Sequence, residues 1–483
     1  MPQIPRDELN VDELNPVAPF RRSPYGDQSH LASVIERARQ GSSHADILNR
    51  RLLEADELLT KMPPANSTPG SERPLRIAVV SLLFNWPSTG GGIVHTAELI
   101  RFLAEAGYEV CHFFAVFEDW GVGKVTSHLP YPAVAIEFGE SGWNRDNIQH
   151  AFRNAVDGFS PDCAIVTDSW NSKGLLAKAV SNYPYFIRLA AMECICPLNN
   201  VRLLPGADGR AVQCRKSQLA TRNECVACVE RNAHASGSLH DAERRLVGFS
   251  EPRHFDELIE AFATAEAVLA VNPLIATHCE PYAKDVRVIA SGFDPFRFAG
   301  LPAEPPKGTP FRLLFAGLVD EYMKGFHVLF EACCILWAER QDFELHVTSD
   351  TLASDAPFLK PCGWQTQESL PGMMADCHAV IVPTVAQEAL GRTAVEAMGA
   401  SRPVIASRLG GLPFVVTDEV TGLLFEPEDA AGLADCIKRL MDNPAMAADM
   451  GAKGRARFLS EHTWDTVIRT KYQPLFARLR SHR

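Results

Sequence analysis

Two glutamates and a glycine pair are the residues of this sequence best suited to bind a charged, hydroxylated ligand. Glu388 follows an apolar run at residues 379–382, and Glu396 lies eight positions later in a helix-favouring segment. Gly410-Gly411 follows a second apolar run, at residues 403–407. Such runs predict buried parallel strands, and open α/β sheets bind ligands beyond the carboxyl ends of their strands. Carboxylates there can bind sugar hydroxyls and glycine amides can approach a diphosphate, so the pattern predicts a nucleotide-sugar pocket.

The segment that carries these residues, 377–427, resembles the signature of the retaining glycosyltransferases of family four. Glu388, Leu390-Gly391 and Glu396-Ala397-Met398 match the family's E-x7-E phrase, and the PVIAS, GG-x-P and TG-L phrases follow without a gap. The resemblance implies an α/β protein of the GT-B type, with two Rossmann-like domains facing across a cleft. It also implies transfer of a sugar from a nucleoside-diphosphate sugar to an acceptor hydroxyl, with the anomeric configuration retained and no cofactor required for the chemistry.

The same resemblance implies roles for individual residues of the second domain. Glu388 would bind the hydroxyls of the donor sugar and take part in catalysis, and Glu396 would bind the ribose. Lys324 would act on the diphosphate as a second catalytic group, whereas Leu318 replaces the arginine that the family places six residues earlier. The residues expected to line the donor site are Leu390, Gly391, Gly410 and Gly411.

In the first half of the chain, a glycine loop and an acceptor region resemble those of the family less closely. Gly90-Gly91-Gly92 follows an apolar strand, and the resemblance implies that Gly91 and Gly92 reach the donor. Ala190-Ala191 occupies the place where the family has a His-Asp pair near the acceptor. The residues left as alternatives for the acceptor side are His95, Arg188 and Glu193.

A cysteine-rich insertion, residues 194–228, interrupts this first half. Cys225 and Cys228 form a C-x-x-C pair, and Cys214 with Cys196 or Cys194 would complete a set of four thiolates. Four thiolates favour tetrahedral zinc or iron. We therefore expect a structural metal that orders the insertion, with free thiols packed against the first domain as the alternative.

The elements that must position these residues divide the chain into four predicted segments. Residues 1–74 form a helical extension and linker, in which residues 30–62 could self-associate or pack onto their own domain. Residues 75–298 form the acceptor domain, residues 299–461 the nucleotide-sugar domain, and residues 462–483 a helix that returns to the first domain.

Composition excludes several other classes of protein. A formal charge of −12 argues against a nucleic-acid partner, and no apolar run is long enough to span a membrane. The polar N-terminus and the thirteen cysteines favour the cytoplasm, with peripheral attachment to a membrane surface left open. The expected partners are the donor and a glycan, lipid-linked or small-molecule acceptor. A nucleotide-sugar epimerase of the same fold and a non-catalytic sugar-nucleotide-binding relative are the alternatives.

Overall fold

The structure is a computed structural model that describes residues 73–88, 90–205, 211–232, 236–349, 352 and 356–481. The predicted self-association segment, residues 30–62, lies outside the described residues. The described chain forms two compact units. The N-terminal unit takes in residues 73–202, 215–292 and 467–481, and the C-terminal unit takes in residues 203–214 and 293–466.

Strands and helices alternate along both units. The strands are β1 Arg76–Ser81, β2 Glu109–Val116, β3 Ala133–Glu137, β4 Cys163–Thr167, β5 Tyr185–Leu189, β6 Leu203–Pro205, β7 Ala211–Gln213, β8 Ala267–Ala270, β9 Val286–Val288, β10 Phe311–Phe315, β11 Phe343–Val347, β12 Leu359–Pro361, β13 Ala379–Val382, β14 Val404–Ser407 and β15 Gly422–Phe425. The α-helices are α1 Gly91–Glu105, α2 Arg145–Phe159, α3 Lys173–Ala179, α4 Arg222–Asn232, α5 Ser238–Val247, α6 Pro252–Thr264, α7 Pro273–Cys279, α8 Phe326–Trp337, α9 Leu370–Ala375, α10 Arg392–Gly399, α11 Leu412–Val415, α12 Ala430–Asp442, α13 Pro444–Arg457, α14 Trp464–Val467 and α15 Gln473–Ser481.

The N-terminal unit is built on a seven-stranded parallel sheet with the order β3-β2-β1-β4-β5-β8-β9. Every residue of β1 is buried, and its apolar residues 77–80 form the short continuous run that is typical of a central parallel strand. The strand order reverses between β1 and β4, so the loops after these two strands diverge and leave a crevice. The glycine loop at residues 90–92 follows β1 and Asp168 follows β4, which places both at this switch point.

The described chain after residue 467, which ends in α15, completes the core of the N-terminal unit. Tyr472 and Phe476 are buried, and the Phe476 ring lies 5.2 Å from that of Tyr108 and 5.9 Å from that of Phe186. Aromatic side chains bury large apolar areas and stabilise a core strongly. The N-terminal unit is therefore discontinuous in sequence, with part of its core supplied after residue 466.

The C-terminal unit has a second parallel sheet, with the order β12-β11-β10-β13-β14-β15. Its order reverses between β10 and β13, and the loops after these strands carry Lys324 and Glu388. The two sheets confirm the predicted α/β class with two Rossmann-like domains. Of the residues predicted for the site, Lys324 and Glu388 follow the strands at this switch point, and Gly91 and Gly92 follow β1 at the switch point of the N-terminal unit.

At the switch point of the C-terminal unit, a glycine lets the backbones of the two loops come into direct contact. Gly325 has φ +71°, and a Cβ atom there would lie 1.8 Å from the carbonyl oxygen of Pro383. Only glycine combines this left-handed backbone with so close an approach. The contact therefore fixes the start of α8 against the chain leaving β13.

A buried polar network occupies the corresponding position in the N-terminal unit. Asp168 accepts hydrogen bonds from Thr96 Oγ1 and Ser81 Oγ, each at 3.1 Å, and has an unusual positive φ of 34°. Ser81 Oγ also lies 2.8 Å from His112 Nε2, so the network extends to a buried imidazole. Burial raises the pKa of Asp168 to about 7, against the opposing charge of Lys173, and burial lowers the pKa of His112 to about 3.

We predict that Gly325→Ala destabilises the protein more than a glycine substitution without a steric conflict. Gly308→Ala is the control, because Gly308 has φ +91° but no atom within 4 Å of an added Cβ. The control should lose about 1–2 kcal/mol from backbone strain alone. Gly325→Ala should lose about 2–4 kcal/mol and lower the Tm measured by calorimetry correspondingly further. Equal losses of Tm would contradict the proposed clash with Pro383.

We also predict a pH-dependent effect of Asp168→Asn. The folded-state pKa of about 7 exceeds the usual value of 3.8, so the folded protein binds this proton more tightly and its stability falls as pH rises from about 4 through 7. Asparagine cannot ionise and retains hydrogen-bonding capacity toward both hydroxyls. The Tm of the variant relative to wild type should therefore rise between pH 5 and pH 8. Asp146→Asn, at an exposed carboxylate, controls for charge removal, and a Tm difference independent of pH would contradict the prediction.

Candidate functional site

The centre of the candidate site is an ion pair at the switch point of the C-terminal unit. Lys324 ends a short turn that follows β10, Glu388 lies in the loop after β13, and Lys324 Nζ lies 2.7 Å from Glu388 Oε1. The exposed fractions of the two side chains are 32% and 23%, so both remain accessible to a ligand. Burial alone would lower the pKa of Lys324, but the charges of Glu388 and Glu321 outweigh it and raise the pKa. Lys324 is therefore a cation at neutral pH.

Two helices with glycine N-caps begin shortly after the residues of this ion pair along the chain. The N-cap of α8 is Gly325 and the N-cap of α10 is Gly391, which has φ +78°. Neither helix has a side-chain cap or an acidic residue in its first turn. The N-terminal amides and the positive end of each helix dipole are thus left to be satisfied by other groups, and an anion suits both.

The Gly410-Gly411 loop packs directly on the backbone of Glu388. Gly411 N donates a hydrogen bond to Glu388 O at 2.7 Å. Gly410 has φ +60°, and a Cβ atom there would lie 2.5 Å from the same carbonyl oxygen. Because no side chain fits between the two loops, glycine at position 410 keeps the Glu388 loop in place. The structure thus brings Lys324, Glu388 and the glycine pair together.

Glu396 and Leu390 are the remaining predicted donor-site residues of this unit. Leu390 is buried, and Glu396 lies on α10 with a nearly buried side chain. Arg297 forms an ion pair with Glu396, with Nη2 3.3 Å from Oε1. Arg297 could not be predicted as a site residue from the sequence, because no motif near position 297 indicates a contact with a residue 99 positions later.

The β6–β7 hairpin of the insertion makes a second contact that was not predicted from the sequence. Gln213 Nε2 donates to Val385 O at 2.6 Å, and Gln387 Nε2 donates to Cys214 O at 3.5 Å. The end of the hairpin therefore lies along the loop that carries Glu388. The insertion contributes to the C-terminal unit, although the sequence predicted it as part of the first domain.

The acceptor-side candidates lie in the N-terminal unit and are all buried. Arg188 Nε donates a short hydrogen bond to His95 Nε2. Glu193 pairs with Lys173 at 3.2 Å and accepts a hydrogen bond from Ala190 N at 3.0 Å. Each candidate thus already contacts other groups of its own unit.

The predicted glycines of this unit lie in the first turn of α1, which begins at Gly91 and has no side-chain cap. A Cβ atom at Gly92 would lie 3.7 Å from Ala190 Cβ and 4.0 Å from Asp168 Oδ1. Gly92 therefore adjoins the ends of both β4 and β5. Asp168 was not among the predicted site residues, although its place directly after β4 was visible in the sequence.

The structure does not assemble the predicted metal site. Cys225 and Cys228 lie on the regular helix α4, Cys214 belongs to the C-terminal unit, and Cys196 belongs to the N-terminal unit. Within the described residues, which include all these cysteines, no three His, Cys, Asp or Glu side chains group to hold a metal. The C-x-x-C spacing corresponds to one turn of helix, and these cysteines form no disulfide bonds among the described residues.

The described part of the insertion has secondary structure of its own, and the expected metal has no support among the described residues. It contains the antiparallel hairpin β6–β7 and helix α4. Leu198, Leu203 and Leu219 are buried. Among the described residues, no helix combines the length and the apolar composition that crossing a bilayer requires.

Comparisons with known proteins place the candidate site in a recognised domain. Residues 310–443 match the family described as glycosyl transferases group 1. The chain is 33% identical to a D-inositol 3-phosphate glycosyltransferase from Arthrobacter sp. (strain FB24) over 186 residues, which is 35% of this chain and 43% of that protein. It is 27% identical to a glycogen synthase from Mycobacterium tuberculosis (strain H37Rv) over 259 residues, covering 51% of this chain and 59% of the relative. The chain thus spans about half the length of the curated relatives it matches.

Solved structures extend the similarity of fold to most of the chain. Sucrose-phosphate synthase from Thermosynechococcus elongatus superposes with a TM-score of 0.57 at 20% identity, covering 84% of this chain and 100% of that one. Anabaena HepE in complex with UDP and glucose superposes with a TM-score of 0.53 at 15% identity, covering 83% and 99%. The chain therefore has the fold of the GT-B glycosyltransferases, and its residues 310–443 match the glycosyl transferases group 1 family.

Proposed function

We propose that the protein transfers a glycosyl group from a nucleoside-diphosphate sugar to an acceptor hydroxyl, with retention of anomeric configuration. The observation that carries the proposal is the Lys324–Glu388 ion pair at the switch point of the group 1 domain. The uncapped starts of α8 and α10 follow Lys324 and Glu388 in sequence and suit an anionic leaving group. The likeness to transferases and synthases supports the same reaction class.

The two charges of the pair match the charges that develop in this reaction. The bond between the anomeric carbon and the diphosphate oxygen breaks, and the acceptor oxygen bonds to that carbon. The acceptor's proton passes to the departing diphosphate or to solvent. Lys324 would stabilise the negative diphosphate, and Glu388 would bind the sugar hydroxyls and stabilise its positive character. An ammonium has three N–H donors, so Lys324 can contact Glu388 and a phosphate oxygen together.

The remaining predicted residues receive roles that support this reaction. We propose that Glu396 accepts hydrogen bonds from the ribose and that Leu390, Gly391, Gly410 and Gly411 line the donor site. Gly91 and Gly92, in the first turn of α1, would reach the donor, and His95, Arg188 and Glu193 are the candidates for the acceptor side. The acceptor would be a glycan, a lipid-linked molecule or a small molecule.

Direct binding of donors tests the proposal most simply. Thermal shift should be measured with UDP-, ADP- and GDP-glucose, beginning with the uridine donor because HepE was solved with UDP and glucose. A ligand at about a hundred times its Kd stabilises the folded protein by about 2.7 kcal/mol. Absence of a shift with all three donors and their free diphosphates would contradict the proposal. Binding without any glycosyl product from a panel of acceptors would favour the non-catalytic alternative.

We predict that Lys324→Ala lowers kcat more than it weakens donor binding, because the lysine acts on charge that grows as the bond breaks. Loss of one electrostatic donor of this kind costs about 10²–10³ in kcat. Lys438→Ala is the matched control, since Lys438 forms an exposed ion pair with Glu339 in the same unit. Steady-state kinetics and donor titration would separate the two effects, and an unchanged kcat in Lys324→Ala would contradict the assigned role.

We also predict that Leu318→Arg tightens binding of the nucleoside-diphosphate product. Leu318 is half-buried in the loop after β10, six residues before Lys324, and a cation there would add a charged hydrogen bond to phosphate. Such a bond contributes about 1.5 kcal/mol, or roughly tenfold in Kd. Calorimetric titration with the diphosphate would measure the change. A Kd equal to that of wild type would mean that position 318 does not face the diphosphate.

A further inference from the structure

Arg297 stands at the point where the chain enters the C-terminal unit. It belongs to a short 3₁₀ turn, Pro295–Phe298, that follows Phe293 and Asp294, the first residues of the long segment 293–466 of that unit. Asp294 caps the turn, with Oδ1 accepting a hydrogen bond from Phe296 N at 3.0 Å. The backbone that carries Arg297 is therefore fixed locally before its side chain makes any contact.

One nitrogen of the Arg297 guanidinium group contacts two residues that are distant in sequence, Gln367 and Glu396. Its Nη2 donates to Gln367 O at 2.5 Å and to Gln367 Oε1 at 3.1 Å, and lies 3.3 Å from Glu396 Oε1. The exposed fractions of the Arg297 and Glu396 side chains are 14% and 4%. Both charges are thus largely removed from water, and Gln367 limits rotation of the guanidinium away from Glu396.

Because the Glu396 side chain is nearly buried, its orientation depends on the ion pair with Arg297. A buried carboxylate without a partner is costly, and removing one member of such a pair leaves the other uncompensated. A carboxylate also has about four acceptor positions, so an ion pair through one oxygen is compatible with hydroxyl groups donating to the same carboxylate. Arginine in this place can hold the carboxylate in one rotamer and offset its charge near an anionic ligand.

We propose that Arg297 is a positioning residue that holds Glu396 in the orientation that recognises the ribose of the nucleotide. The inference rests on the proposed function, in which Glu396 binds ribose, and extends it to a residue outside the matched domain at residues 310–443. Arg297 acts through Glu396 and Gln367, so its effect is on selectivity for the ribose hydroxyls.

The test compares ribo- and 2′-deoxyribonucleotides. The diphosphate that binds wild type most tightly among UDP, ADP and GDP is titrated beside its 2′-deoxy form, for wild type, Glu396→Gln, Arg297→Ala and Arg297→Lys. The ratio of the two Kd values reports recognition of the 2′-hydroxyl. A charged hydrogen bond to that hydroxyl corresponds to a ratio of roughly 10 or more in wild type.

The expected result is that Glu396→Gln and Arg297→Ala both bring this ratio close to one, while Arg297→Lys retains part of it. Arg439→Ala is the control, because Arg439 forms an exposed ion pair with Glu419 in the same unit and should leave the ratio unchanged. A purely structural role of Arg297 would weaken both nucleotides equally and keep the wild-type ratio, which would overturn the inference.

The outcomes also separate failure of this inference from failure of the proposed function. If no diphosphate binds wild type, the proposed function itself fails. If Glu396→Gln abolishes the ratio and Arg297→Ala does not, the ribose site stands and Arg297 does not position it. A wild-type ratio near one would overturn the ribose role of Glu396 and, with it, the role of Arg297.

Discussion

The candidate site depends on one close backbone approach, between Gly325 and the carbonyl group of Pro383. These residues lie in the loops after β10 and β13, where the order of the C-terminal sheet reverses. The approach brings the two loops together without any side chain between them, so Lys324 can reach Glu388 across the gap. Gly410 repeats the arrangement on the other side of Glu388, whose loop is held between two glycine contacts.

The glycines at the starts of α8 and α10 also affect the electrostatics of the site. Side-chain caps would satisfy the first amides of α8 and α10 and reduce their affinity for anions. Glycine caps leave those amides to a ligand while still permitting the left-handed backbone that starts each helix. The N-terminal unit has the same kind of uncapped helix start at its own switch point, at Gly91, and adds a network of side-chain hydrogen bonds among Asp168, Ser81 and Thr96.

Sequence reasoning identified the parts of the site that local pattern determines. Glu388 and Gly410-Gly411 could be placed because apolar runs mark the strands before them, and Lys324 because its motif resembles that of a known family. Arg297 could not be placed, since its contact with Glu396 is set by the path of the chain into the unit and leaves no local pattern. The metal site was predicted from a local pattern that fits two structures. Cys225 and Cys228, three positions apart, could form a metal-binding knuckle or lie on one helical turn, and in the structure they lie on a helix.

The discontinuity of the N-terminal unit has a consequence for biosynthesis. Tyr472 and Phe476 belong to its core, yet they are translated only after the whole segment from 293 to 466. At the usual rate of about 5–20 residues per second, the ribosome needs roughly 10–40 s to produce that segment. During this interval the apolar surface around Tyr108 and Phe186 lacks its final aromatic partners. The nascent N-terminal unit is thus open to chaperone binding until the last helix emerges, while the C-terminal unit can fold as soon as its own strands are complete.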